Sequence, residues 1–260
     1  MRFASLGSGS EGNALVVEAG GDSTAARRIL VDCGFGLAKA RQRLARLGLG
    51  VEDLDAIFVT HEHGDHLGGA VKLALTADVP LCITRGTVAA GLRELPSRLV
   101  LRFIEAEQPV VLEALRIEPV PVPHDAREPV QFVIDDGVSR LGVLTDLGQS
   151  TPHLVRCMTR LDALVLECNH DARMLQEGPY PWSLKRRIAG PWGHLANDAA
   201  AALLASLDQS RLRTLVAAHL SRSNNRPELA RAALAAAWAG AHPDDVLVAD
   251  QDLGTGWVTV

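Results

Sequence analysis

The sequence predicts an α/β fold in which two β-sheets pack face to face with helices outside them, an αββα sandwich in one domain spanning residues 1–260. Three observations lead to this fold. Short apolar, β-branched runs recur with turn residues between them, and helical patterns lie between some of these runs. The first part of the chain is rich in strands, whereas the last third alternates strands and helices. No Gly/Ser/Pro-rich linker or internal repeat divides the chain.

Most of the apolar runs are expected to be strands, and four segments are expected to be helices. The strand candidates are Ala14–Glu18, Ile29–Asp32, Ala56–Thr60, Pro80–Ile83, Val110–Leu112, Val130–Ile134, Leu141–Thr145, Ala163–Glu167, Leu215–Ala218 and Val246–Ala249. The helix candidates are Leu37–Leu47, Leu67–Thr76, Asn197–Leu207 and Glu228–Ala239. The first helix carries Lys and Arg on a polar face. Asn197 and Asp198 are expected to cap the third, and Pro227 precedes the fourth at an N1-like position.

Composition limits the class of protein. Of the 260 residues, 47% are hydrophobic and 22% are charged, which is typical of a globular chain with enough apolar residues for one substantial core or two small ones. Residues Met1–Ser5 lead directly into Gly and Ser without an apolar signal region, and no apolar run approaches the ~18 residues that span a bilayer. We therefore expect a cytoplasmic protein without membrane contact.

The cysteines and the net charge carry less information. Cys33, Cys82, Cys157 and Cys168 form no C-x-x-C pair, so reduced thiols are expected rather than a disulfide or a thiolate metal site. The formal net charge of −5 disfavours indiscriminate nucleic-acid binding. That count includes aspartates assigned to metal below, however, and bound divalent cations would reverse the charge of such a site.

A cluster of polar residues follows the apolar run that ends at Thr60. His61, His63, Asp65 and His66 lie where this strand leads into the predicted helix, and loops at such positions can direct several side chains into one crevice. Three imidazoles and one carboxylate supply nitrogen and oxygen ligands for borderline cations such as zinc, manganese or iron. The alternative is a solvated His-rich turn, but the strand-to-helix context favours a metal site.

One loop cannot complete two metal sites, and three further residues stand at the ends of apolar runs. His124 follows the proline-stiffened run Val120–Pro123, Asp146 ends the strand Leu141–Thr145, and His219 ends the strand Leu215–Ala218. Each residue alone would indicate no more than a cap or a turn. Together with the cluster, they supply the missing ligands.

With these ligands the sequence resembles the metallo-β-lactamase superfamily. The ordered pattern HxHxDH, His, Asp, His reads here as His61, His63, Asp65, His66, His124, Asp146 and His219. The resemblance implies a four-layer αββα sandwich and two divalent metal ions. One ion would take His61, His63 and His124, the other Asp65, His66 and His219, and Asp146 would bridge them.

Further motifs resemble the YycJ/WalJ-type branch of that superfamily, over nearly the whole chain. They are Ser8–Asn13, Leu166–Asp171, Gly193–Asn197 and Ala218–Leu229. The branch usually has Ser where Cys168 and Ala196 stand. It is associated with exonuclease-like cleavage of DNA, so the resemblance implies a nucleic-acid substrate, DNA rather than RNA.

Several residues near these motifs are candidates for catalysis or substrate binding. His194 and His170 could protonate the leaving oxygen or contact a phosphate oxygen. The alternative for both histidines is that they support a ligating carboxylate through a hydrogen bond. Asp65 is a third candidate for catalysis. Glu167 could orient the two histidines. Asp32 is expected to support a ligand rather than bind metal. The candidates for substrate binding are Ser8, Ser10, Asn13, Asn169, Asn224 and Arg222, for which turn chemistry is the alternative.

The basic and aromatic residues near residue 185 also allow two interpretations. Lys185, Arg186 and Arg187 could contact phosphates, and Trp182 and Trp192 could stack on bases. The simpler expectation is that the charges form a solvated face and that the tryptophans anchor the core or a loop.

The function expected from these residues is a dinuclear hydrolase, most specifically a phosphodiesterase or nuclease that uses a metal-bridging hydroxide. A small-molecule hydrolase acting on a lactone, thioester or cyclic phosphodiester would share the same metal core. A metal-stabilised regulatory protein without turnover is the third possibility, and the loss of a ligand would have favoured it. The interval from Asp146 to His219 is too short for the inserted domain of the large RNA-processing members.

Overall fold

The computed structural model describes residues 1–20 and 26–260. The strands of its first sheet are β1 (Arg2–Gly7), β2 (Ala14–Ala19), β3 (Arg27–Val31), β4 (Ala56–Phe58), β5 (Leu81–Ile83), β6 (Leu101–Phe103) and β14 (Val258–Thr259). They lie in the spatial order β14-β1-β2-β3-β4-β5-β6. Strands β14 to β3 pair antiparallel, and β3 to β6 pair parallel.

The second sheet has the same mixed character. Its strands are β7 (Val110–Leu112), β8 (Leu115–Pro121), β9 (Val130–Asp135), β10 (Arg140–Leu144), β11 (Ala163–Glu167), β12 (Thr214–Ala218) and β13 (Val246–Val248). They lie in sequence order, with β7 to β10 antiparallel and β10 to β13 parallel. The parallel strands of each sheet therefore end at a common edge.

Helices cover the outer face of each sheet. They are α1 (Leu37–Ala45), α2 (Gly64–Leu67), α3 (Ala70–Ala77), α4 (Arg85–Gly91), α5 (Pro152–Cys157), α6 (Ala172–Glu177), α7 (Trp182–Ile188), α8 (Asn197–Ser206) and α9 (Pro227–Ala237). Within the described ranges, no helix has both the length and the apolar character needed to cross a membrane.

The alternation of side chains along each strand produces the layers. In β3, Ile29 and Val31 face the other sheet, whereas Leu30 packs under α1 and α3. In β11, Val165 faces the first sheet and Leu164 packs under α8 and α9. Between the sheets, the rings of Phe58 and Phe132 meet edge to face at 5.7 Å. The predicted αββα sandwich is therefore confirmed.

The ten strand candidates are all strands, with bounds that differ by at most two residues at either end. Strands β1, β6, β8 and β14 were not predicted from the sequence. Neither were helices α4 to α7, each of which has only six or seven residues and so too few turns to show a helical period. The four cysteines, all in described residues, are free thiols as expected, although Cys157 is only half-buried.

The predicted helix Leu67–Thr76 is two helices, α2 and α3. The chain bends between them at Gly68 and Gly69, where the backbone passes close to another loop: a Cβ on Gly69 would lie 1.8 Å from the carbonyl oxygen of Phe35. Because α2 begins at Gly64, Asp65 and His66 lie in its first turn rather than in the preceding loop.

Two predictions about helix details were wrong. Asn197 does not cap α8, because the N-cap residue is Ala196. The side-chain amide of Asn197 instead forms two reciprocal hydrogen bonds with the side-chain amide of Asn225, each 2.9 Å long. In α1, Arg43 does not lie on a polar face. Its side chain is 2% exposed, and its Nη1 donates to the carbonyl oxygens of Leu6 and Gln251 at 2.7 and 2.8 Å.

The buried Arg43 gives a test of the fold. Arg43→Ala is expected to lower the free energy of unfolding by about 3 kcal/mol, because two buried carbonyl groups lose a charged donor. Arg41→Ala, on the exposed side of the same helix, is expected to change it by less than about 0.5 kcal/mol. Urea denaturation of both variants at equal metal content measures the difference, and equal stabilities would contradict the structural role of Arg43.

Candidate active site

The seven predicted ligands converge where the strands of both sheets end. His61 and His63 follow β4, and Asp146 and His219 follow β10 and β12. Asp65 and His66 come from the first turn of α2, and His124 comes from the loop after β8. Each sheet thus contributes part of one cluster, because the carboxyl ends of their parallel strands meet at the same edge of the sandwich.

The backbone turns sharply at three of these strand ends. Asp32, Asp146 and His219 have positive φ angles of 61°, 54° and 55°. Non-glycine residues seldom adopt this left-handed conformation, and side chains held in it are concentrated at functional sites. The turn lets each side chain point back across the strand ends into the cluster.

Three imidazoles form the first group of candidate ligand atoms. Nδ1 of His63 lies 3.0 Å from Nε2 of His61 and 3.3 Å from Nε2 of His124. A geometry with three ring nitrogens directed at one another suits a cation that binds all three.

The second group contains Asp65, His66 and His219. Oδ2 of Asp65 lies 3.5 Å from Nε2 of each histidine. Asp146 stands between the two groups: its Oδ2 is 2.9 Å from Nε2 of His66, and its Oδ1 is 3.9 Å from Nε2 of His124. One carboxylate thus reaches both groups, as a ligand shared by two cations would.

A buried carboxylate orients the histidines of the first sheet. Nδ1–H of His66 donates to Oδ2 of Asp32 at 2.8 Å, and Thr60 donates its hydroxyl to the same oxygen at 2.9 Å. Since the Thr60 hydroxyl hydrogen is used in this way, its oxygen is left to accept from Nδ1–H of His61 at 2.9 Å. Both imidazoles therefore present Nε2 to the cluster.

A second buried carboxylate serves the histidines of the second sheet. Oε1 of Glu167 accepts from Nδ1–H of His219 at 3.1 Å and from Nδ1–H of His194 at 2.8 Å. Its Oε2 accepts from the backbone N–H groups of Leu147 and Leu195. In the same manner, Nδ1–H of His124 donates to the carbonyl oxygen of Gly193 at 3.0 Å. Glu167 thus orients one candidate ligand, His219, as well as His194, whereas it was expected from the sequence to orient His194 and His170.

The electrostatics of the cluster favour added positive charge. Burial opposes protonation of His219, but Asp146, Asp65 and Glu167 outweigh it and raise the pKa of that imidazole to about 10. Burial likewise would raise the pKa of Glu167, yet His194 and His219 lower it to about 2. The carboxylates therefore remain ionised and attract cations, and metal binding would displace protons from the imidazoles.

The residues present fit divalent cations. The ring proton of His66 is on Nδ1 and is donated to Asp32, so Nε2 of His66 has no hydrogen to donate to Oδ2 of Asp146, 2.9 Å away. Among the described residues, Nε2 of His219 and Oδ2 of Asp146 are thus buried atoms without a hydrogen-bond partner, which is costly unless another group binds them. Both point into the cluster of mixed nitrogen and oxygen donors. A cation bound there would satisfy both atoms.

The structure separates the two further histidine candidates. His194 lines the open cleft above the cluster, and with its Nδ1 held by Glu167 its Nε2 is free for a substrate. His170 does not line this cleft. It is 2% exposed, and its Nδ1–H donates to Oδ1 of Asn169 at 3.3 Å, so it orients an amide that does line the cleft.

The residues proposed for substrate binding also divide. Ser10 and Asn169 line the cleft. Ser8 and Asn13 are buried beneath it: the hydroxyl of Ser8 accepts from the backbone N–H of His219 at 2.8 Å, and Nδ2 of Asn13 lies 3.1 Å from Nε2 of His66. They shape the loops around the cluster, in agreement with the alternative of turn chemistry.

Asn224 and Arg222 do not line the cleft either. Asn224 is buried and contacts Ser221 through its Nδ2 at 3.3 Å. Arg222 pairs with Glu11 and Asp252 on the surface. The side chain of Asn224 therefore contacts the loop after β12, and that of Arg222 forms surface ion pairs.

The cleft has a volume of about 440 Å³, and sequence reasoning missed much of its wall. The missed lining residues are Gly64, Asp125, Tyr180, Leu184, Ile188 and Gly193, whereas Arg187 was a candidate phosphate contact. Asp125 directly follows the candidate ligand His124, and this position was the available signal. Gly64 begins α2, and the rest come from α7 and its flanking loops, which carry no residue type specific to chemistry.

Comparison with known proteins identifies the family and agrees with the fold. The family model of the beta-lactamase superfamily domain matches residues 27–219. The chain therefore belongs to the metallo-β-lactamase superfamily, and it is a hydrolase of that fold with a His/Asp cluster that could bind metal ions. The solved structure of Zn²⁺-bound PqqB from Methylobacterium extorquens has the same fold, with a TM-score of 0.75, 17% identity and 100% of both chains covered.

Within the superfamily, the chain is similar to a smaller group. It is 33% identical to exodeoxyribonuclease YycJ of Bacillus anthracis over 234 residues, which cover 89% of this chain and 86% of that protein. It is 33% identical to exodeoxyribonuclease WalJ of Streptococcus pneumoniae over 240 residues, which cover 88% of this chain and 85% of that protein. The resemblance to the YycJ/WalJ branch is confirmed.

Asp32 allows a test of ligand orientation that does not depend on activity. Asp32→Asn is expected to weaken cation binding by about 10–100-fold, because the amide cannot accept from both Thr60 and His66 with a full charge. Asparagine tolerates the left-handed backbone at this position, so the fold is retained. Competition with a coloured chelator measures the affinity.

The matched control for this variant is Glu18→Gln. Glu18 is also a buried carboxylate of the first sheet, but it pairs with Arg2 and Arg28 and contacts no histidine. The Glu18→Gln variant is expected to bind cations with the same affinity as the unmodified protein. Equal affinities of both variants would contradict the orienting role of Asp32.

Proposed function

We propose that this protein is a dinuclear-metal-dependent phosphodiesterase that cleaves DNA in the manner of an exonuclease. The observation that carries the proposal is the position of Asp146 between two complete groups of candidate ligand atoms. Two neighbouring cations with one shared carboxylate are the arrangement that enzymes use for hydrolysis of phosphate esters.

The proposed ligand set follows the two groups. His61, His63 and His124 would hold one divalent cation, and Asp65, His66 and His219 would hold the other; the carboxylate of Asp146 is within reach of both groups. When bound, the two cations supply Lewis-acid charge to the phosphate oxygens and a source of nucleophilic water near neutral pH. Imidazole and carboxylate ligands of this kind suit zinc, manganese and iron.

The remaining work of the reaction falls to residues of the cleft. Asp65 and Asp146 are held ionised by the adjacent histidines, which keep the pKa of both carboxyl groups well below the usual value despite burial. Asn169 and Ser221 line the wall next to His219 and can donate hydrogen bonds to the substrate phosphate.

His194 is proposed as the general acid. Its Nδ1–H is held by Glu167, so Nε2 can carry the proton that the leaving oxygen of a nucleotide requires. The charge of Glu167 and Asp146 outweighs burial and raises the pKa of His194, which favours the protonated form that an acid needs. His170 is assigned no contact with substrate.

The names of the relatives support the choice of DNA. Both proteins that are 33% identical over most of the chain are named exodeoxyribonucleases. The complete set of seven candidate ligands disfavours a regulatory protein without turnover. A hydrolase of small esters would use the same cluster and is therefore a named outcome of the experiment below.

The first prediction of this proposal concerns metal and substrate. Protein freed of metal with a chelator and reloaded with Mn²⁺, Zn²⁺ or Fe²⁺ is expected to release nucleotides from DNA ends, and His66→Ala and Asp146→Ala are expected to lose at least about a thousandfold in rate. DNA and RNA with 5′-phosphate or 5′-hydroxyl ends serve as substrates, and a lactone serves as the small-molecule control. Cleavage of the lactone alone would disprove the proposal.

The second prediction separates general-acid catalysis from a structural role. His194→Gln is expected to slow cleavage of a dinucleotide by about 10²–10⁴-fold, since the alkoxide leaving group needs a proton. Cleavage of bis(p-nitrophenyl) phosphate is expected to slow far less, because nitrophenolate leaves without protonation. The rates of the variant and of the unmodified protein are measured with both substrates at saturating concentration. Equal losses with both leaving groups would assign His194 to positioning instead.

A further inference from the structure

The wall of the cleft includes a short segment with an unusual concentration of aromatic residues. Residues 180–192, called the cleft-side segment below, contain two of the four tryptophans and the one tyrosine of the chain. They are Trp182, Trp192 and Tyr180. Aromatic residues make up only 4% of the sequence, so their grouping beside the catalytic cleft needs a physical explanation.

Both tryptophans of this segment are exposed. Trp182 is 68% exposed and Trp192 is 58% exposed, whereas Trp238 and Trp257 pack against the cores of the second and the first sheet. Indole rings are ordinarily highly buried, and exposed ones are enriched at binding surfaces. Of the two anchoring roles expected for Trp182 and Trp192, in the core or in a loop, their exposure excludes the core.

Helix α7 of this segment separates two cavities. Leu184, Arg187 and Ile188 line the cleft that contains the candidate ligands. Trp182, Lys185 and Arg186 line a second cavity of about 210 Å³ on the other side of the helix. None of the seven residues of α7 is fully buried, so both of its sides are available for contact with a ligand.

The segment also carries a run of basic residues, of which Arg187 lines the cleft and Lys185 and Arg186 line the second cavity. Lys185, Arg186 and Arg187 are consecutive in a chain of net charge −5. Nζ of Lys185 donates to the carbonyl oxygen of Gln176 at 2.6 Å, and Nε of Arg187 pairs with Asp125 at 2.6 Å. Within the described ranges, 1–20 and 26–260, Arg186 forms no ion pair or side-chain hydrogen bond, which leaves its guanidinium group for a phosphate.

Exposed aromatic rings on both sides of a run of cations match the chemistry of single-stranded nucleic acid. Bases of a single strand can stack on indole rings while the backbone phosphates contact Lys and Arg. In a duplex, the bases are stacked on one another and their faces are not accessible to the tryptophans. A small ester would fill the cleft alone and would not reach the second side of α7.

We propose that the cleft-side segment binds the single-stranded DNA next to the scissile phosphate, with bases stacked on Trp182 and Trp192 and a phosphate bound by Arg186. This inference rests on the proposed DNA phosphodiesterase function and names the form of DNA that the site takes. The enzyme therefore acts on a single-stranded end, or on a duplex end only after it has opened.

Binding and cleavage of single-stranded DNA test this inference. The probe is fluorescein-labelled oligo(dT) with phosphorothioate linkages, followed by anisotropy with metal-loaded protein. Trp182→Ala and Trp192→Ala are each expected to raise its Kd at least about fivefold, the lower limit for loss of one stacked base. Arg186→Ala is expected to reduce the slope of log Kd against log salt concentration by about 0.7, as for one lost phosphate contact.

The matched controls lie at the opposite end of the second sheet. Val138 and Arg160 are exposed and precede β10 and β11, whose carboxyl ends form the site. Val138→Ala and Arg160→Ala are expected to leave Kd and its salt dependence unchanged. Trp182→Phe and Trp192→Phe are expected to restore most of the affinity, because phenylalanine still stacks, and this rescue separates stacking from loss of folding.

Cleavage assays distinguish failure of this inference from failure of the proposed function. The ratio of kcat/KM for oligo(dT) to that for bis(p-nitrophenyl) phosphate is expected to fall at least about fivefold in each Trp→Ala variant. If the unmodified protein cleaves oligo(dT) and these variants match it in both assays, the inference is overturned and the DNA phosphodiesterase remains. If the unmodified protein cleaves neither single-stranded nor duplex DNA, the proposed function fails first.

Discussion

The hydrogen bonds that two buried carboxylates accept from histidines are the interactions on which the rest of the site depends. Asp32 orients His66 and supports His61 through Thr60, while Glu167 orients His219 and His194. A free imidazole can rotate and exchange its ring proton between two nitrogens, so it is a poor ligand until one nitrogen is held. Burying the carboxylates is costly, and the charge of a cation bound beside them would offset that cost.

The sandwich architecture brings these groups together because each sheet supplies half of them. Asp32, His61 and His66 come from segments that follow strands of the first sheet. Asp146, Glu167 and His219 stand at the ends of strands of the second sheet. Their relative position is therefore set by the packing between the sheets, where Phe58 meets Phe132. The left-handed turns at Asp32, Asp146 and His219 then direct side chains from the strand ends to a common point. Such backbone strain is tolerated because the surrounding core fixes it.

Much of the fold was predictable from periodicity, and two of the missed elements, β6 and α7, share a cause. The buried central strands have dense apolar runs, and Val110–Leu112 and Ala163–Glu167 were predicted with their observed bounds. The missed strand β6 is a three-residue edge strand with two exposed side chains, and α7 contains no buried residue. Elements that bury little surface carry little hydrophobic pattern, so nothing in the local sequence separates them from loops.

The sequence by itself indicated the chemistry of the cluster, since several imidazole and carboxylate groups gathered at strand ends match the ligands that divalent cations prefer. Only the tertiary structure decided which neighbouring groups share the cleft. It admits His194 and excludes His170, it turns Asn13 and Arg222 to other contacts, and it exposes Trp182. The physical reason is that residue type and spacing fix what a side chain can bind. The direction of that side chain depends on packing against segments far away in the chain.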